Sequence, residues 1–114
     1  MIGEQRVRIG ASDIMVNRLG MGGGTLTNNA GEGGVRSLLQ CCWEAGLRYF
    51  DTAPLYGSGE SESRFGVFLR EMPRDAFTIS TKVGRLANAG GQRVFDFTAG
   101  GVRSTLDASL KRIG

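Results

Sequence analysis

Asp51, Tyr56 and Lys82 have the types and spacing of a proton-transfer centre. Asp51 closes the aromatic run Leu47-Arg48-Tyr49-Phe50-Asp51, and Tyr56 follows in the loop Leu55-Tyr56-Gly57-Ser58-Gly59. Lys82 stands near the end of Phe77-Thr78-Ile79-Ser80-Thr81-Lys82-Val83. Neighbouring strands lie about 4.8 Å apart, so an aspartate and a lysine facing the same way at matching heights can form an ion pair beneath the tyrosine. A free phenol has a pKa of about 10, too high to share its proton readily at neutral pH, and an adjacent ammonium favours the phenolate. Such a trio is a general acid toward a carbonyl oxygen or, in reverse, a base toward an alcohol, which suits hydride transfer. The bland alternatives are a turn-forming aspartate, a half-buried loop aromatic and a solvated lysine. Lys82 weighs against them, because it is one of only two lysines and falls on the polar face of an alternating strand, where an unpaired cation is unfavourable.

Other chemistries are excluded by composition. The chain has no histidine, which removes His-based triads, His-ligated metal sites and any His general base within it. Cys41 and Cys42 are adjacent in a helical pattern, where neither an easy bridge nor half of a spaced zinc site can form, so they read as reduced core thiols and no metal site is expected. The 14 Lys+Arg against 11 Asp+Glu give a net charge of +3, and no basic run interleaves with aromatics, so no nucleic-acid partner is expected. Arg85 and Arg93 read as solvated loop charges, with substrate or cofactor phosphate contact as the sharper alternative. No window approaches the roughly 18 consecutive apolar residues of a membrane span, and Met1-Ile2-Gly3-Glu4-Gln5-Arg6 lacks the apolar stretch of a signal peptide. The expected location is cytoplasmic. Gly20-Met21-Gly22-Gly23-Gly24 resembles a dinucleotide fingerprint, but Thr25 stands where the third glycine would fall and no acidic residue ends a second strand at the expected offset. Neither lysine completes a phosphate-loop signature.

The elements that must position the trio are short and glycine-punctuated, with 19 glycines among 114 residues. Residues 6–9 and 14–16 flank the turn-rich Gly10-Ala11-Ser12-Asp13 and predict a small hairpin, a lid separate from the core sheet. Arg18 to Gly22 is a short strand that enters a glycine-rich loop, Gly22 to Asn29. Val35, Leu38, Leu39, Cys42 and Trp43 recur at helical spacing over about 32–45, and Gly46 stops the pattern. A second helix over about 60–71 has Glu60 and Glu62 in its first turn and a stripe of Phe65, Phe68, Leu69 and Met72, ended by Pro73. The strand 77–83 follows, then an irregular loop from Gly84 to Phe97, then a helix over about 99–112 capped by Thr98, with Val102, Leu106, Leu110 and Ile113 on one stripe.

A hairpin followed by three strand-helix units specifies parallel strands joined by right-handed crossovers. Such units build either an open doubly wound sheet or an eight-unit barrel, and both place active groups at the carboxyl ends of strands. A complete barrel takes about 250 residues, so the expected architecture is α/β, the N-terminal portion of a (β/α)8 TIM barrel. Residues 1–114 would then form an incomplete barrel domain, with the hairpin over about 6–16 and the strand-helix units over 18–114. Its sheet would keep an unpaired edge and an uncovered apolar face.

Tyr49-Phe50-Asp51-Thr52-Ala53-Pro54-Leu55-Tyr56-Gly57, then Ser61-Glu62 and Gly66, then Ser80-Thr81-Lys82-Val83-Gly84-Arg85, resemble the aldo-keto reductase superfamily across essentially the whole chain. Arg93-Val94-Phe95-Asp96-Phe97 and Gly101 to Leu110 are similar to the branch containing pyridoxal 4-dehydrogenase and the aldose dehydrogenases acting on L-fucose-type sugars. The resemblance implies a barrel whose base is plugged by the hairpin and whose mouth binds NAD(P) without a dinucleotide fingerprint, the choice between NAD and NADP staying open. It implies Tyr56 as general acid/base, Lys82 as its partner, Asp51 as the residue holding Lys82, and Gly24, Thr25 and Asp51 near the nicotinamide. It implies a small carbonyl or sugar substrate. The family's catalytic histidine and cofactor phosphate site have no counterpart in these residues, so the alternative from a different class is a non-catalytic barrel fragment.

Overall fold

The computed structural model describes residues 4–27 and 31–114. The end of the expected glycine-rich loop, Asn28 and Asn29, lies outside them. Strands β1 (Arg6–Arg8) and β2 (Met15–Asn17) pair antiparallel with Val7 opposite Val16, as a two-stranded sheet of their own. The core sheet has the order β3-β4-β5, all parallel, from β3 (Met21–Gly22), β4 (Tyr49–Asp51) and β5 (Thr78–Ser80). The strands are shorter than the apolar runs that announce them because the sheet ladders end where the loops turn away. The hairpin sits at the amino ends of these strands, where Asn17 Oδ1 accepts from the Arg48 backbone N–H at 2.6 Å.

Helix α1 (Gly31–Glu44) ends as the sequence predicts. Gly46 adopts a φ of +89°, its N–H reaches the Trp43 carbonyl at 3.0 Å and the Leu47 N–H reaches that of Cys42 at 3.0 Å. This double bond with a left-handed glycine satisfies the terminal carbonyls before the chain enters β4. Helix α2 (Glu60–Leu69) follows a tight turn over Tyr56–Gly59, and α3 (Ala99–Ile113) is capped by Thr98, whose hydroxyl accepts from the Gly101 N–H at 3.1 Å.

Alternation along the sheet sets its two faces. Phe50 and Ile79, directly paired, point to the helices, where Phe50 joins Leu26, Val35, Leu39, Phe65, Phe68, Leu69 and Phe77 in one core. The Phe50 ring lies 5.7 Å from Phe65 and 6.4 Å from Phe77, the tilted and edge-on contacts aromatic rings prefer. Tyr49, Asp51 and Ser80 occupy the opposite face.

Three expectations are corrected. Cys41 and Cys42 are not core thiols, for Cys41 is exposed and Cys42 half-buried against Met21, its Sγ 3.8 Å from the thioether sulfur. The stretch from Gly84 to Phe97 is not an irregular loop: β6 (Arg85–Ala87) and β7 (Arg93–Phe95) form an antiparallel hairpin with Leu86 opposite Val94. Asn88 organises its turn, its side-chain oxygen accepting from the N–H groups of Gly90 and Gln92 at 3.0 Å each. The buried face of α3 is not the aliphatic stripe either. Gly101, Thr105 and Ser109 are buried, while Leu106 and Leu110 are 42% and 55% exposed. Small residues win because the end of α3 runs almost in backbone contact with α2 at Gly66: a Cβ there would stand 2.8 Å from the Ile113 carbonyl oxygen, and closer still to that of Arg112. Leu106, Leu110 and Ile113 of that stripe instead line an open groove with Leu69, Met72, Ile79 and Val83.

Candidate active site

Parallel pairing puts Asp51 opposite Ser80, so Lys82, two residues further along, emerges on the same face just beyond the last paired position. The side chains meet there. Lys82 Nζ donates to Asp51 Oδ2 at 2.9 Å and to the Thr52 carbonyl at 2.7 Å. The other carboxylate oxygen, Oδ1, accepts from Ser80 Oγ at 2.6 Å. Since Ser80 spends its only proton on Asp51, the 3.2 Å contact between Tyr49 OH and Ser80 Oγ has tyrosine as donor. Asp51 is thus fixed through both oxygens, one by a neutral relay and one by a cation. The side chains of Lys82 and Asp51 are 48% and 41% exposed, a degree at which an ion pair contributes about 1 kcal/mol or less to stability. Placement of the ammonium is its main effect.

Tyr56 comes from the turn after β4. Ala53 and Pro54 are buried, and the Tyr56 N–H reaches the Ala53 carbonyl at 3.2 Å, so the turn folds back over the end of the strand. Lys82 Nζ lies 5.4 Å from the Tyr56 ring centroid, within the about 6 Å reach of a cation–π contact. Beyond Tyr56 the backbone is left-handed at three successive residues, Gly57, Ser58 and Gly59, with φ of +59°, +53° and +94°. Ser58 is the only non-glycine with positive φ among the described residues. Such conformations persist only where surrounding packing over-determines them, and here Gly57 is pressed against Thr27 and Gly59 against Arg112.

The loop after β3 closes the other side. The Gly23 N–H donates to the Asp51 carbonyl at 2.7 Å, and Ser61 Oγ, itself bonded to Thr52 Oγ1 at 2.8 Å, donates to the Gly23 carbonyl at 2.8 Å. Gly24 then lies beside the phenol, a Cβ at that position falling 3.9 Å from Cε2 and Cζ of Tyr56. Gly24 and Thr25 are both exposed. The structure therefore brings together Asp51, Tyr56, Lys82 and Gly24, with Thr25 one residue further along an open loop. Arg85 and Arg93 are exposed on the β6–β7 hairpin, the Arg85 guanidinium lying 5.5 Å from the Phe95 ring centroid.

One group beneath the site escaped the sequence reading. Glu62, which the sequence places in the first turn of α2 and among the residues carrying the resemblance but gives no role, is fully buried: its Oε1 accepts from Thr81 Oγ1 at 2.6 Å and its Oε2 from Arg112 Nε at 2.6 Å. Its signal was a charged residue inside a helix turn whose neighbours, Ser61, Phe65 and Gly66, all face inward. Among the described residues no group of three or more His, Cys, Asp or Glu is placed to hold a metal ion, and no helix is long and apolar enough to cross a membrane.

Parallel strand-helix units with polar groups at the carboxyl ends and a hairpin across the amino ends define part of a (β/α)8 barrel. The sequence profile of the Aldo/keto reductase family matches residues 18–114, and the chain belongs to that family. It is 35% identical to a D-threo-aldose 1-dehydrogenase from a Pseudomonas species, over 91% of this chain and 38% of that protein. It is likewise 35% identical to a pyridoxal 4-dehydrogenase from Microbacterium luteolum, over 97% of this chain and 40% of that protein. The solved holo form of an aldo-keto reductase from Bacillus halodurans superposes with a TM-score of 0.85 at 29% identity, over 96% of this chain and 36% of that one. The chain spans 36% to 40% of the length of these relatives.

Proposed function

We propose that the chain carries the proton-transfer half of an NAD(P)-dependent oxidoreductase that interconverts an aldose or aldehyde and its oxidised or reduced partner. The observation that carries this reading is the ammonium of Lys82, held by Asp51 Oδ2 and the Thr52 carbonyl, 5.4 Å from the Tyr56 ring. Tyr56 gives its phenolic proton to the substrate oxygen as a carbonyl becomes an alcohol, and takes one back in the opposite direction. The ammonium, 5.4 Å from the ring centroid, places a positive charge beside the ring as that proton leaves. Asp51, fixed through both oxygens, holds the ammonium against drift into solvent.

The cofactor, when bound, supplies or accepts the hydride. Residues at the rim fit its ring end: Gly24 presents bare backbone beside the phenol, and Gly24 and Thr25 are open to an approaching planar ring. Asp51 completes that side through its carbonyl, which anchors Gly23. The likeness to an aldose dehydrogenase and a pyridoxal dehydrogenase supports a small carbonyl or sugar substrate. Replacing Tyr56 with Phe in the intact enzyme is expected to lower turnover by about 10²- to 10⁴-fold while cofactor affinity stays near normal. Turnover retained by that variant refutes the role given to Tyr56.

A further inference from the structure

We propose that Glu62 is a positioning residue that ties the strand bearing Lys82 to the helix following Tyr56, through its bonds to Thr81 and Arg112. The inference rests on the proton-transfer reading of Tyr56 and Lys82 and extends it to a group that touches neither.

The end of β5 explains why such a tie is needed. Ladder pairing in the core sheet stops at Ser80, whose carbonyl takes a last bond from the Thr52 N–H at 2.9 Å. Among the described residues, 81–83 have no strand partner before β6 begins at Arg85. Lys82 sits in this unladdered gap. Alternation turns Thr81 away from the site and toward α2, where its hydroxyl donates to Glu62 Oε1 at 2.6 Å. That bond is charge-assisted and fully sheltered on the acceptor side, so it holds the backbone next to Lys82 where sheet hydrogen bonds no longer do.

The second oxygen extends the tie to Tyr56. Arg112, reaching from the end of α3, donates from Nε to Glu62 Oε2 at 2.6 Å and crosses Gly59 on the way. A Cβ at Gly59 would stand 2.9 Å from both Cδ and Nε of Arg112, so the arginine also walls in the last left-handed residue of the Tyr56 turn. Glu62 lies three residues beyond Gly59, at the positive end of the α2 dipole, which favours a carboxylate there. One buried carboxylate is therefore bonded to the neighbour of Lys82 and to the side chain packed on the Tyr56 turn. Displacement of a reacting group by about 1 Å can cost about 100-fold in rate, so a tether of this kind matters even without touching substrate.

The test uses the ammonium itself as reporter. Nitrogen-15 lysine labelling gives an Nζ signal for Lys82, assigned by its loss in Lys82→Arg. Thr81→Val, which removes the hydroxyl at nearly constant volume, is expected to speed proton exchange at Lys82 Nζ by roughly fivefold, the restraint of one net hydrogen bond. Thr81→Ser is expected to restore it. Exchange within twofold of the parent in Thr81→Val overturns the proposal, whatever the turnover assay gives. Should Thr81→Val fail to fold, Arg112→Gln is read the same way: faster exchange supports the tie and unchanged exchange overturns it. Faster exchange in the Thr81 variant together with full turnover in Tyr56→Phe would sink the catalytic reading instead, leaving a mechanical link without that role.

Discussion

Replacing Gly66 with alanine sets two effects of opposite sign against each other. In a helix interior the change favours folding by about 1 kcal/mol, because glycine loses more backbone freedom than alanine. Against this, the new Cβ would stand 2.8 Å from the Ile113 carbonyl oxygen and 3.0 Å from its Cα, with the Arg112 carbonyl nearer still. Comfortable separations begin at about 3.5 Å, and the obstructing atoms are backbone, which cannot rotate aside. The last turn of α3 must shift outward, an overpacking cost of about 1–3 kcal/mol, and Arg112 moves with it, loosening its buried pair with Glu62. Sterics and the loosened pair together should win, for a net loss of about 1–2 kcal/mol. Urea unfolding followed by far-ultraviolet circular dichroism reads the result as a midpoint lowered by about 1 M, given slopes of about 1–3 kcal/mol per molar. Gly33→Ala in α1 is the control, since its Cβ would meet nothing within 4 Å among the described residues. There propensity acts alone, and a gain of about 0.5–1 kcal/mol is expected. If Gly66→Ala proves as stable as the parent, the close approach of α2 and α3 does not constrain the fold as described.

Three further outcomes follow from local geometry. Ser58→Gly should raise the thermal midpoint modestly, since it relieves a left-handed residue at φ +53° worth about 1 kcal/mol, and a lowered midpoint would show that the serine side chain matters more than the strain. Asp96 is held below the usual carboxylate range first by the Thr98 hydroxyl and then by the Thr98 N–H, so its contribution is complete above the ordinary aspartate pKa and is lost as pH falls through the depressed value. Asp96→Asn should therefore flatten the acid side of a melting-temperature-against-pH curve, and an unaltered acid limb would contradict it. Leu39→Ala, at a fully buried core position, should cost about 2–5 kcal/mol, a loss below 1 kcal/mol pointing to a core that collapses around the gap.

Where local pattern and tertiary demand agree, the chain is readable from its residues. Val35 and Leu39 belong to an amphipathic stripe and are buried, Gly46 both ends a pattern and adopts the left-handed cap, and the parallel sheet follows from strand-helix alternation. Asp51 and Lys82 could be brought to one rim by register alone, because parallel neighbours share heights and alternate residues share faces. The β6–β7 hairpin was not legible because its three-residue strands have no buried face to impose alternation, although Asn88-Ala89-Gly90-Gly91 is a turn signal. The face of α3 was misassigned because periodicity locates aliphatic residues, whereas close helix packing selects the small ones at Gly101, Thr105 and Ser109. Glu62 and Arg112 are 50 positions apart, and nothing in either local pattern announces their pairing.

An ammonium group turns about its terminal bond like a three-bladed rotor, and in water no orientation is favoured. Lys82 has two blades seated on acceptors that belong to the rigid sheet end, Asp51 Oδ2 and the Thr52 carbonyl. The direction of the remaining blade is then dictated by the framework and not by solvent. A visitor bearing a lone pair would find a proton already aimed, so the rim offers a compass bearing as well as a charge, and a guanidinium substituted there would carry the charge but not the bearing.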